Sequence, residues 1–76
     1  MFRPNKIPLK AHPFVRKMFV EMNKQYISLV EMGEKSGVHR HTLKNWRVRS
    51  QPRLADIEAC YNVLGMKLVI TGIQEV

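Results

Sequence analysis

Proline and glycine residues divide this chain into short segments, and that division limits the structures it can form. Proline lacks a backbone hydrogen-bond donor and disfavours the helical conformation in the residue before it, whereas glycine commonly ends a helix. Three prolines fall within the first thirteen residues, so residues 1–12 are predicted to form an extended arm. Later breaks at Gly37, residues 50–52 and Gly65 predict that the rest of the chain forms short helices.

The first helix is predicted from Pro13 to about Lys24, because proline suits the first turn of a helix and apolar residues follow at three- and four-residue intervals. An apolar stripe with this spacing is expected to face the core. The stripe comprises Phe14, Val15, Met18, Phe19 and Met22.

A second helix is predicted from the spacing of Ser28 and Glu31, which is that of a capping box, and it would run through Lys35. In a capping box each side chain satisfies the backbone N–H of the other residue. Gly33 needs a packing reason, because glycine inside a helix costs about 1 kcal/mol relative to alanine. The residues predicted to face inward are Leu29 and Met32.

Two further helices are predicted at 39–47 and at about 53–64. Leu43 and Trp46 share one face of the helix at 39–47; this spacing favours core packing of the indole over stacking on a nucleobase. The helix at 53–64 is predicted to bury Leu54, Ile57, Tyr61 and Leu64, with Cys60 beside them as an inert thiol. The segment 66–71 is short, contains β-branched residues and is bounded by glycines, which predicts a strand.

Positive charge is clustered along the sequence. Thirteen lysines and arginines against six acidic residues give a net charge of +7. Residues 1–25 hold six basic residues and one acid, and residues 39–53 hold five basic residues and no acid. Such clustering predicts one or two positive faces and a polyanionic partner.

Several other classes of protein are not expected. A single cysteine excludes an intrachain disulfide and fits a reducing cytoplasm, and no apolar run approaches the ~20 residues of a membrane span. His39 and His41 would point about 200° apart on a helix, so they cannot share a metal ion. No paired carboxylates, Ser–His–Asp arrangement or phosphate-binding loop is present, so we expect no enzyme, cofactor or metal.

Residues 28–47, SLVEMGEKSGVHRHTLKNWR, resemble the helix-turn-helix of the phage-repressor/Cro-like (Xre) family. Gly33 matches the small residue at which the next helix crosses closely, and Gly37 matches the turn glycine. The family's apolar positions after that glycine are matched by Val38, Leu43 and Trp46, and the downstream pattern by Pro52, Leu54, Ile57, Leu64 and Gly65. The chain departs from the family pattern at two places: His39 replaces the usual serine N-cap, and Met32–Gly33 replaces the commoner Leu-Ala.

The resemblance implies a mainly α, four- to five-helix, lambda-repressor-like helix-turn-helix domain at 13–65, preceded by the basic arm at 1–12. Residues 66–76 would be a C-terminal strand and tail. The implied function is sequence-specific binding of double-stranded DNA by a small bacterial or phage transcriptional regulator such as a repressor, located in the cytoplasm with the nucleoid. Helix 39–47 would enter the major groove.

The site residues follow from the polar face of that helix and from the basic clusters. Arginine and lysine can pair with guanine, and asparagine can pair with adenine. The candidates for base contacts are Arg40, His41, Lys44 and Asn45. The candidates for contacts with the DNA backbone are Ser28, Thr42, Arg47, Arg49 and Arg53, with possible arm contacts from Arg3, Lys6 and Lys10.

Several alternatives remain open from the sequence. The chain could be an antitoxin that binds its own operator and grips a toxin, or a module that binds another protein or a structured RNA. The arm could reach round DNA, or Ile7 and Leu9 could cover the core or pair with the last strand. A homodimer on a palindromic operator is expected, with self-pairing of residues 66–71 or the fourth helix as its interface.

Overall fold

The computed structural model of the protein describes residues 2–48 and 52–68. Within these residues the chain forms α1 (Pro13–Lys24), α2 (Leu29–Ser36), α3 (Arg40–Trp46) and α4 (Leu54–Val63). α2 packs against both α3 and α4, and α1 packs against α4. The predicted mainly helical fold class is confirmed, with helix bounds close to those predicted.

The C-terminal strand predicted at 66–71 is not seen. Met66, Lys67 and Leu68 have no regular secondary structure, and residues 69–71 lie outside the described residues. The Met66 backbone N–H donates to the Tyr61 carbonyl at 2.9 Å, and both Met66 and Leu68 pack partly buried against the core. The described start of this segment therefore folds back onto the end of α4. The tail at 69–76 is also outside the described residues.

Buried apolar side chains from all four helices form one core. Phe19, Met18, Met22, Met32 and Leu43 are its largest fully buried members. The rest of the core consists of Val15, Ile27, Val38, Trp46, Ile57, Cys60, Tyr61 and Leu64. Most of these positions belong to the predicted apolar stripes.

Two residues predicted to face the core are exposed instead. Phe14 is 48% exposed and Leu54 is 60% exposed, because each lies at the edge of the buried stripe of its helix. The Phe14 ring packs edge-to-face on His12 with ring centroids 5.1 Å apart. Together with Pro52 these residues line a shallow surface cavity of about 190 Å³.

The capping box at the start of α2 is only half formed. Ser28 Oγ accepts from the Glu31 backbone N–H at 3.1 Å, as predicted. The Glu31 carboxylate instead pairs with Lys35, with Oε2 and Nζ 2.8 Å apart. Lys35 lies one helical turn further along the same face, so the ion pair competes with the return bond to Ser28.

Cys60 is fully buried on α4. Burial raises the pKa of its thiol from 9.0 to about 11, the negative charge of Asp56 adds to this shift, and a hydrogen bond with Ser36 opposes it. The fold therefore favours the protonated thiol, and this preference makes the free energy of unfolding depend on pH. A neutral buried thiol agrees with the inert role predicted for it.

This burial predicts how stability depends on alkaline pH. The folded pKa of Cys60 lies above its unfolded value, so its contribution is fully present below about pH 9 and is lost as the pH rises towards 11. Between these pH values the free energy of unfolding of Cys60→Ala should fall less steeply than that of the wild type, as measured by urea unfolding. Burial also raises the pKa of Tyr61, but that residue acts equally in both proteins. Parallel slopes would show that the thiol is not the titrating group.

Candidate nucleic-acid interface

Residues 37–39 join α2 to α3, and Gly37 sets the direction of this turn. Gly37 has a φ of 80°, in the left-handed region that favours glycine. Its backbone N–H donates to the Gly33 carbonyl at 3.1 Å and so ends α2. The turn lets α3 begin immediately at Arg40.

α2 and α3 approach each other closely at Gly33. A Cβ atom there would lie 3.2 Å from the Val38 carbonyl oxygen and 3.4 Å from the Arg40 backbone nitrogen. The first distance is tighter than ordinary van der Waals contact and the second is at its lower limit, and both neighbouring atoms belong to the backbone. This close approach is the packing reason that the sequence required for a glycine inside α2.

α3 has one buried face and one exposed face. Leu43 and Trp46 are buried, as is Val38 just before the helix, and together they hold α3 against the core. The residues on the opposite face are all exposed, and they are the four candidates for base contacts, Arg40, His41, Lys44 and Asn45. Burial of one face thus fixes which side chains α3 presents to solvent.

His39 performs the capping role expected of a serine. Its Nδ1 atom accepts from the His41 backbone N–H at 3.1 Å, so the start of α3 has a side-chain cap. The imidazole rings of His39 and His41 also stack, with centroids 5.0 Å apart and planes at 16°. The prediction that these two side chains point about 200° apart is therefore wrong, because His39 is the extended N-cap residue and lies outside α3. The stacking orients His41 at the exposed N-terminal end of α3.

The candidates for backbone contacts are less uniform. Ser28 and Arg53 are exposed at the N-terminal ends of α2 and α4, and Thr42 is half-buried on α3. The Ser28 hydroxyl accepts from Glu31 and keeps its own proton for donation. Arg49 lies outside the described residues. Arg53 is the N-cap residue of α4, and its side chain makes no capping hydrogen bond.

Arg47 is held in place by the core. Its guanidinium carbon lies 5.8 Å from the centroid of the buried Phe19 ring, which is a cation–π geometry. The residue is half-buried at the C-terminal end of α3. Its charged group is therefore positioned rather than free to sample the solvent.

The arm is fixed against the body of the protein by two asparagines. Asn23 Oδ1 accepts from the Asn5 backbone N–H at 2.7 Å and from Asn5 Nδ2 at 3.0 Å, and Asn23 Nδ2 donates to the Asn5 carbonyl at 2.9 Å. Asn5 Nδ2 also donates to the Ile27 carbonyl at 3.0 Å. We call these bonds the asparagine clasp. The sequence offered no sign of it, because neither asparagine belongs to a recognisable motif.

One possibility left open by the sequence was that Ile7 and Leu9 cover the core. This holds for Ile7, whereas Leu9 is exposed. Ile7 is partly buried against the core. Leu9 is 78% exposed, because the chain turns beside it through a bond from the Ala11 N–H to the Pro8 carbonyl at 3.2 Å. The three arm residues predicted to contact DNA are all exposed, so docking of the arm leaves its charges on the surface. They are Arg3, Lys6 and Lys10.

The docked arm forms a groove with the end of α3. Residues 6–10 line one side, and Lys44, Arg47 and Val48 line the other, around a volume of about 500 Å³. We call it the arm–α3 groove. It brings together four residues that were predicted to contact DNA. Lys6 and Lys10 come from the arm, Lys44 is a candidate for base contacts, and Arg47 is a candidate for backbone contacts. No acidic residue is among those that line it.

The positive charge of this surface is not neutralised by the ion pairs of the described residues. Those pairs join Lys24 to Glu21 at 3.3 Å and Lys35 to Glu31 at 2.8 Å. Neither includes a residue of α3 or of the arm–α3 groove. At the exposed start of α3, Glu34 and Arg40 both line a separate cavity of about 330 Å³.

No protein-family model, curated protein or solved structure matches this chain. In residues 2–48 and 52–68, no helix is long and apolar enough to cross a membrane. The same residues contain no cluster of three or more side chains that could hold a metal ion.

Proposed function

We propose that the protein binds double-stranded DNA in a sequence-specific manner, with α3 in the major groove, and that it acts as a small transcriptional regulator. The observation that carries this proposal is the exposed face of α3. It presents Arg40, Lys44 and Asn45 to solvent while the opposite face is locked into the core. Side chains on a rigid helix are held in register, which base recognition requires.

The chemistry of this face suits base edges. Arginine and lysine donate to guanine O6 and N7, asparagine pairs with adenine N6 and N7, and a single such contact contributes about 1–3 kcal/mol of discrimination. Arg40 and Lys44 are four residues apart, so they lie one turn apart on the same side of α3. An α-helix with its side chains is about 10–12 Å in diameter, which fits within a major groove about 12 Å wide.

The proposal includes the finer fold assignment, a helix-turn-helix formed by α2 and α3. Two observations support it, the left-handed Gly37 between the helices and the close crossing at Gly33. In such a unit the first helix lies across the DNA backbone. The hydroxyl of Ser28, at the start of α2, would then donate a hydrogen bond to a phosphate oxygen.

We further propose that two copies bind together. One helix reads only a few base pairs, and a single small module buries little surface on DNA, so a pair of recognition helices would select a site far better. The predicted interface strand has an apolar run at 68–70, of which residues 69 and 70 lie outside the described residues. The proposal of a dimer therefore depends on the requirement for specificity.

Selection of bound duplexes from a random DNA pool tests both proposals. We expect enrichment of one motif, arranged as two inverted half-sites whose centres are about 34 Å apart, or one turn of DNA. A pool of structured RNA should yield no enrichment under the same conditions. Enrichment of an RNA stem-loop without any duplex motif would contradict the proposed function, and a single unrepeated motif would contradict the dimer.

A further inference from the structure

We propose that the arm–α3 groove binds the phosphate backbone of a DNA strand next to the base pairs read by α3, and that the asparagine clasp holds the groove ready for it. This inference rests on the proposed function. It assigns a role to Lys6, Lys10, Asn5 and Asn23 that the reading of bases by α3 does not require.

Charge is the first argument for this ligand. Four cations, Lys6, Lys10, Lys44 and Arg47, line one groove without a carboxylate among the lining residues. Like charges placed together repel one another, so the arrangement favours a bound polyanion that neutralises them. A DNA strand supplies phosphates at regular intervals and releases its counterions when lysines and arginines replace them.

The apolar lining is the second argument. Leu9 is 78% exposed and Val48 is 75% exposed, on opposite sides of the groove. A sugar–phosphate strand alternates charged phosphates with less polar deoxyribose rings, so it can contact the cations and these side chains together. An acidic peptide with apolar residues shares part of this chemistry, but the position of the groove favours DNA.

That position is the third argument. Lys44 belongs both to the groove and to the exposed face of α3, so the groove is continuous with the surface that would read bases. Arg47 is oriented by its contact with Phe19 on the same side. A strand bordering the groove of DNA that α3 enters would therefore pass directly between α3 and the arm.

The asparagine clasp makes the groove a fixed feature. Asn23 on α1 holds Asn5 by three hydrogen bonds, and Lys6 follows Asn5 directly in the chain. Ile7 is anchored against the core one residue later. Because the arm is already ordered, binding loses little conformational entropy on its account. Asn23 is thus a positioning residue that acts through the lysines.

The first test compares two double variants that each remove two positive charges. The double variant Lys6→Ala, Lys10→Ala removes both positive charges from the arm side of the groove. The double variant Lys17→Ala, Lys67→Ala removes two exposed lysines that do not line it. We expect the groove variant to reduce the magnitude of the negative slope of log K against log salt by about 2, and to weaken binding to every duplex. The control should change the slope by less than about 1. Because the two variants have the same net charge, a difference between them reports the position of the lysines.

The second test asks whether Asn23 acts through these lysines. Asn23→Ala should weaken duplex binding and lower the salt slope nearly as much as loss of Lys6 and Lys10. Combining all three changes should add little further loss, because a displaced arm no longer presents its lysines. Additive losses would overturn the positioning role. Should Asn23→Ala fail to fold, Asn5→Ala keeps both backbone bonds of the clasp and is expected to show a smaller loss of the same kind.

The outcomes separate this inference from the proposed function. If the wild type binds a selected duplex through α3 while the groove and control variants behave alike, the groove inference is overturned and the function stands. Poly-glutamate serves as a probe for the alternative ligand, an acidic peptide. If replacement of Lys6 and Lys10 weakens binding of poly-glutamate but leaves duplex affinity unchanged, the groove inference is overturned and the function again stands. If the wild type binds no duplex, both proposals are overturned.

Discussion

Replacement of Trp46 by alanine is expected to destabilise the protein by about 3–5 kcal/mol. The indole is only 3% exposed and belongs to the face of α3 that packs on the core. A domain of this length has a total stability of about 4–11 kcal/mol, so the loss would consume much or all of it. Unfolding in urea, followed by circular dichroism because the variant lacks tryptophan, would measure the change.

Asn45→Ala is the matched control for this prediction. Asn45 is the neighbouring residue on α3 but is exposed, so its replacement should change stability by no more than about 0.5 kcal/mol. The comparison also decides the role of the indole. If Trp46→Ala keeps its stability and loses only affinity for nucleic acid, Trp46 stacks on a base and the assignment to the core is wrong.

The helix bounds were predictable because their signals are local. Pro13 fixes the first turn of α1, Ser28 caps α2, and Gly37 ends α2 in a left-handed conformation. Each of these effects depends on a few neighbouring residues. The same holds for the core face of α3, whose apolar spacing and short length leave one way to bury Leu43 and Trp46 together.

Burial at the ends of helices was less predictable. Helical periodicity assigns Phe14 and Leu54 to the apolar sides of α1 and α4, but both lie at the edges of those stripes. Periodicity contains no information about how much of each stripe the neighbouring helices cover. Both residues are exposed, which only the relative placement of the helices determines.

The arm shows the same limit more strongly. Its prolines predicted extended backbone, and its lysines predicted a charged surface, but nothing local indicates that Asn5 bonds to Asn23, eighteen residues away. An amide side chain can donate and accept anywhere on a surface, so its partner cannot be read from spacing. The arm–α3 groove, a product of that docking, was for this reason visible only in the structure.

Replacement of both Arg40 and Lys44 by alanine should have the largest effect on DNA binding. Each side chain is expected to contribute about 1–3 kcal/mol on the preferred site, so the double variant should lose about 2–6 kcal/mol if the two contacts are independent. Both residues are exposed, and their replacement removes nothing from the core, so the fold should persist. Affinities for the selected duplex and for random duplexes, measured at one salt concentration, would quantify the loss.

Arg53→Ala separates base reading from simple attraction to phosphate. Arg53 is exposed and is a candidate for backbone contacts, so its loss should weaken the selected and the random duplexes alike. Loss of Arg40 or Lys44 should instead reduce the ratio of the two affinities and flatten the base preference at the positions each one contacts. Removal of Lys44 should also lower the salt slope, because this lysine lines the arm–α3 groove as well. Equal losses on both duplexes for all three variants would mean that α3 contributes charge alone, and the reading of bases would then have to come from another part of the chain.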